Sequence, residues 1–119
     1  MGYRDFRTHF VWRQTIHELR ATWSPAADVY IHPTGWLVKF ELAGVRTEDL
    51  QICIRGRRLV VSGMRRDVAI GAHHRAHAME IAYDRFERSV ELGETIEPAA
   101  LEVEYRDGML LVKVSHEPE

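Results

Sequence analysis

From Ala26 onward the chain alternates apolar and polar residues with a period of two, as strands do when successive side chains point to opposite faces of a sheet. Trp36, Val38, Phe40 and Leu42 form one phase against Leu37, Lys39 and Glu41. The same alternation returns in Leu50, Ile52 and Ile54 against Gln51, Cys53 and Arg55. It resumes in Leu59 and Val61 after Gly56-Arg57, a short connection that reads as a tight hairpin. Leu101, Val103 and Tyr105 alternate with Glu102, Glu104 and Arg106, and Asp107-Gly108, the stronger hairpin signal, leads into Leu110, Val112 and Val114. Val29 and Ile31, ahead of the turn Pro33-Thr34-Gly35, add another strand, and residues 86–92 add one more. The pattern predicts an all-β chain: an antiparallel, immunoglobulin-like β-sandwich of about seven to eight short strands.

The first 24 residues follow a different rule. Trp12, Ile16, Leu19 and Trp23 recur at spacings of 4, 3 and 4, which place them on one face of a helix. Tyr3, Phe6 and Phe10 form a second stripe, which a helical wheel of about 100° per residue puts on another side. A helical or mobile N-terminal arm over residues 1–25 is therefore expected, closed by Ser24-Pro25. Two readings stay open at this point: a terminal helix packed on its own domain, or a segment that reaches other chains.

A length of 119 residues, 45% of them hydrophobic and 29% charged, fits one compact domain with one core. Residues 64–82 break the density of strands, and so long a connection in so small a domain is usually functional or disordered. The net charge of −2, from 16 basic and 18 acidic residues, gives no global field toward nucleic acid or an anionic membrane. A single Cys53 excludes an intrachain disulfide and any four-cysteine metal site, and it suits a reducing compartment. No stretch approaches the roughly 20 apolar residues of a membrane-spanning helix. Arg4, Asp5 and Arg7 interrupt any signal-peptide run, so a cytoplasmic location is expected.

Residues able to do chemistry are sparse. His73, His74 and His77 form the one local group of potential ligands, without an acidic or thiol partner close in sequence, so no metal site and no cofactor is expected. Cys53 falls on the strand face opposite the core phase, and no nucleophile–base set accompanies it, which leaves no catalytic residue to name and no small-molecule substrate. Arg55, Arg57, Arg58, Arg65 and Arg66 cluster around one hairpin, but no aromatic platform for stacked bases accompanies them. One residue breaks the alternation: Phe86, Arg88, Val90 and Leu92 share a phase, which places a guanidinium among apolar side chains and demands a partner for it, read here as an ion pair between subunits or sheets.

Glu41-Leu42-Ala43-Gly44-Val45, Glu48-Asp49-Leu50 and Leu59-Val60-Val61-Ser62-Gly63, followed by Tyr83 through Leu92 and Val103 through Leu110, resemble an alpha-crystallin domain, the domain of the small heat-shock protein family. The likeness covers residues 26–115, flanked by the arm and by a short tail at 116–119. It implies an ATP-independent chaperone that holds unfolding client proteins and has no enzymatic activity. It also implies homodimers, with higher oligomers beyond them, in which the loop at 64–82 carries a strand exchanged with the partner. By this resemblance Ala76, His77, Ala78, Met79, Glu80 and Ile81 are that strand, pairing at the edge near Val29 and Ile31 of the other subunit, and Arg88 falls on an arginine to which the family's function is sensitive. Phe6, Phe10, Trp12, Ile16, Leu19 and Trp23 are the client-binding or assembly residues of the arm. Leu50, Ile52, Ile54, Leu101, Val103 and Tyr105 line an apolar groove, which in the family receives a C-terminal Ile-x-Ile type motif; here Val112-x-Val114 belongs to the last strand. Two other functions fit the same fold: a CS-domain-like cochaperone that docks one partner, and an assembly subunit of a hetero-oligomer.

Overall fold

The computed structural model describes residues 5–6, 21–68, 70–93 and 99–116. The strands are β1 (Asp5–Phe6), β2 (Ala27–His32), β3 (Gly35–Glu41), β4 (Leu50–Arg55), β5 (Arg58–Arg65), β6 (Asp84–Glu91), β7 (Ala99–Arg106) and β8 (Met109–His116). A single 3-10 turn, Thr47–Asp49, leads into β4. They build two antiparallel sheets, one of five strands in the order β1-β7-β8-β3-β2 and one of three in the order β4-β5-β6. The all-β sandwich read from the alternation is the fold of the molecule.

Register explains why the alternation was so legible. Val38 pairs with Val112, Phe40 with Leu110 and Trp36 with Val114 across β3 and β8, while Ile52 pairs with Val61 across β4 and β5. Residues directly opposite in an antiparallel pair share a face, so these pairs stack into a continuous apolar layer on each sheet. The two layers meet in a core where Val38, Phe40, Leu42, Ile52, Leu59, Val61, Leu110, Val112 and Val114 are inaccessible to solvent. Both Asp107 and Gly108 take positive φ, 55° and 81°, as a two-residue hairpin whose twist matches its strands requires. Gly63 is needed for a different reason: a Cβ there would collide with the Asp49 carbonyl oxygen and press on the Phe86 ring.

Two boundaries differ from the sequence reading. The hairpin of β5 and β6 runs to the pair Arg65↔Asp84, so the long connection is residues 66–83 rather than 64–82. Long apolar-poor ends of strands carry no sequence mark of where pairing stops. At Trp23 the backbone is extended, in a parallel bridge to Phe86, because Thr22 and Trp23 find main-chain partners on β6 that a helix would deny them. The helical face expected at Trp12, Ile16 and Leu19 lies outside the described residues, as does Phe10.

Candidate functional site

β2 is the last strand of the wider sheet, and among the described residues no strand pairs with its outer edge. Val29 sits opposite Val38 and Ile31 opposite Trp36, so both side chains extend the core-facing layer. The three-stranded sheet does not reach far enough to cover them: Ile31 is 85% exposed, and Val29 and Tyr30 are also open to solvent. A layer of core residues thus continues into water at one edge.

The loop between β5 and β6 is the second open apolar surface. Val68, Ile70, Met79 and Ile81 are all exposed, with Ile81 at 65%. Ala76, His77, Ala78 and Glu80 are exposed as well, and residues 76–81 form no strand within the single chain. Beneath the root of the loop lies a cavity of about 510 Å³ between Ala43-Gly44 on one side and Val68, Ile81 and Tyr83 on the other.

Arginines fasten the two ends of this loop. Arg66 forms a bidentate pair with Asp49, both bonds 2.8 Å long, and the Asp49 side chain is only 10% exposed. This fork-to-carboxylate bond, with some added attraction from Arg46, holds the Asp49 carboxyl below its usual range. Arg65 points the other way: its Nε donates to the Ala43 carbonyl at 3.0 Å and one terminal nitrogen donates to the Ala82 carbonyl at 2.8 Å. Arg88, half-buried on β6, donates to the Pro25 carbonyl at 2.9 Å. The partner given to it within this chain is thus a backbone oxygen from the arm's root.

The arm's root itself lies along β6. Thr22 N–H donates to the Arg85 carbonyl and Glu87 N–H to the Trp23 carbonyl. The Trp23 indole N–H donates to the Asp84 carbonyl at 3.0 Å, and the ring packs against Phe86 with centroids 5.0 Å apart. At the other end, Asp5 and Phe6 pair with Glu104 and Val103 on the outer edge of β7.

The residues read as a groove differ in how far they are buried. Leu50, Ile52, Leu101 and Val103 are buried in the core between the sheets, while Ile54 and Tyr105 are half-buried and pack against it. Tyr105 donates its hydroxyl to the Leu42 carbonyl at 2.7 Å, and burial pushes its phenol above the usual value. Cys53 lies outside the core cluster yet is buried opposite Val60. His74 bonds the Gly71 carbonyl within its own loop, and among the described residues no three His, Cys, Asp or Glu side chains come together as metal ligands would. Among the same residues no helix is long and apolar enough to cross a membrane.

Sequence reasoning missed the roles of Arg65 and Arg66, which it counted only as part of a basic cluster. The bonds of Arg65 go to main-chain oxygens, which carry no sequence signal; Asp49, just ahead of β4, gave a faint one for Arg66.

Similarity to known proteins agrees with this architecture. The Hsp20/alpha crystallin family model matches residues 28–119. Small heat shock protein C4 of Rickettsia felis is 24% identical over 91 residues, which are 76% of this chain and 56% of that protein. The chain therefore spans a little over half the length of such a curated relative. Among solved structures, HSP18.5 from E. histolytica is 26% identical with a TM-score of 0.63, over 80% of this chain and 89% of that one. A small heat-shock protein from Xylella fastidiosa, described as having a distinct high order structure, shares the fold at 19% identity and a TM-score of 0.65, over 83% and 91% of the two chains. Two antiparallel sheets joined by a long aliphatic loop agree with a match that runs through nearly all of the strands: the chain belongs to the Hsp20/alpha crystallin family, the family of small heat-shock chaperones.

Proposed function

We propose that this chain is an ATP-independent holdase that self-associates by strand exchange and binds unfolding proteins before they aggregate. The observation that carries the reading is the pair of open apolar surfaces within one chain. Among the described residues the layer at Val29 and Ile31 lacks a cover, and the loop carrying Met79 and Ile81 lacks a sheet to join. Residues 76–81 of one copy, laid against β2 of another, would add main-chain hydrogen bonds to the bare edge and seat aliphatic side chains over it. Exchange in both directions gives a closed twofold dimer, with higher oligomers built from it.

Client binding in this reading is reversible burial of apolar side chains, with no covalent step. Phe6, Phe10, Trp12, Ile16 and Leu19 supply the aromatic and aliphatic surface of the arm, and a holdase acts by lowering the concentration of the aggregating species. Trp23 serves at the root of that arm. Neither a cofactor nor a metal enters the mechanism. A single thiol suits a reducing cytoplasmic setting.

The test is suppression of light scattering from a heat-unfolding model client without nucleotide. Suppression at near-equal subunit ratios is the expected result, lost when Phe10, Trp12 and Leu19 are replaced by Ser. An associating protein that leaves aggregation unchanged would overturn the holdase reading in favour of an assembly subunit, and a monomer that leaves it unchanged would favour a docking cochaperone.

A further inference from the structure

We propose that Arg65 is the positioning residue that couples the arm's root to the exchange loop, so that docking of Trp23 and placement of the loop's return are one equilibrium. Arg65 is the last residue of β5, and its cross-strand partner is Asp84, the first of β6. The two therefore flank the points where the loop leaves and rejoins the sandwich. The Arg65 guanidinium holds the Ala43 carbonyl and the Ala82 carbonyl at once, and its carbon sits 4.3 Å from the centre of the Trp23 ring. Trp23 completes the ring of contacts through its N–H to the Asp84 carbonyl.

Each member of this cluster supports the others. A planar guanidinium can give its edge to two carbonyls while its face lies on an indole, which a lysine ammonium cannot do. The indole in turn packs on the guanidinium face and limits the rotamers open to Arg65, which keeps its edge aimed at the two carbonyls. Asp84 has φ of 80°, a conformation that non-glycine residues adopt at a cost, and its carbonyl is the acceptor for Trp23. Withdrawing Trp23 removes the cover from Arg65 and the restraint on Asp84 together. Release of the arm therefore loosens Ala82 and Tyr83, the last residues before the loop rejoins the sheet. By linkage the effect runs both ways: ordering residues 76–81 against a second copy tightens the docking of Trp23. That last consequence rests on the strand-exchange reading, whereas the coupling itself belongs to the single chain.

Amide hydrogen exchange on the full chain tests it, read separately over residues 21–24 and 80–84. Trp23→Ala is expected to speed exchange at 80–84 by about fivefold or more, the lower end of common coupling strengths. Arg65→Lys is expected to speed both segments, since a lysine keeps the charge and loses the fork. Trp23→Phe, which retains a ring and loses the N–H, should fall between wild type and Trp23→Ala and keeps the test valid if the alanine variant folds poorly. In the double variant Trp23→Phe with Arg65→Lys, exchange at 80–84 should rise by less than the product of the two single effects. Faster exchange confined to 21–24 in the Trp23 variants would overturn the proposal, as would strictly multiplicative effects. A monomeric wild type with coupled exchange would sink the strand-exchange reading and leave this one standing.

Discussion

The edge strands β6 and β2 carry similar apolar residues and are treated in opposite ways. The β6 edge is strapped by its own chain: Thr22 and Trp23 bond its main chain, Trp23 covers Phe86, and Arg88 reaches the Pro25 carbonyl. The β2 edge has none of this among the described residues, although Ile31 continues the same core layer. An unguarded apolar edge invites aggregation, so proteins cover, charge or shorten their edges. The β6 edge is closed within the chain, whereas the β2 edge is left open among the described residues, beside a loop of exposed aliphatics; on the strand-exchange proposal a second copy would complete it.

Truncation on the two edges should therefore give opposite signatures. Phe86→Ala removes a ring that is 1% exposed and supports the strap as well as the core, and a loss of about 3–5 kcal/mol in chemical denaturation is expected. A loss below about 1 kcal/mol would mean that the strapped edge is no more built than the bare one. Ile31→Glu alters a side chain already in water, so its unfolding midpoint at low concentration should stay near wild type. Self-association should weaken by about 30-fold, the effect of losing one central interface residue. Equal loss of stability and association would erase the contrast.

Asp84→Gly sharpens the comparison at the point where the strap meets the loop. Glycine accepts the positive φ without penalty, and a gain of up to about 1 kcal/mol is expected from denaturant midpoints. The smallest effect is assigned to Asp49→Asn. Arg66 holds the Asp49 carboxyl below its usual 3.8, so the pair adds stability while Asp49 is ionised. That contribution is complete above the ordinary carboxylate range and fades as pH falls through the lower folded value. Wild type should exceed Asp49→Asn in stability at pH 7, with the gap closing in titrations toward pH 3. A gap that widens on acidification would contradict the assignment.

Most of the sandwich was legible in the sequence because its layers are built from directly opposed apolar pairs, such as Phe40↔Leu110 and Ile52↔Val61, each marked by alternation along its own strand. The groove residues were harder to place by the same rule. Leu50, Ile52, Leu101 and Val103 lie on the inner phase, and in a sandwich the inner phase is the core. Exposure of Val29 and Ile31 was not readable either, because alternation tells which face a residue is on and not whether an opposing sheet extends that far. The strap was hidden for another reason. Trp23 and Phe86 are far apart in sequence, the contacts of Thr22, Arg65 and Arg88 are to backbone oxygens, and Trp23 fits a helical spacing with Leu19 as well as it fits an extended edge.

Mass in solution across a concentration series, measured by light scattering for wild type and for Ile31→Glu, tests the central claim most directly. The account predicts a dimer or larger assembly for wild type and a folded monomer for the variant at the same concentration. A wild type that stays monomeric throughout, or a variant that assembles as wild type does, would contradict it.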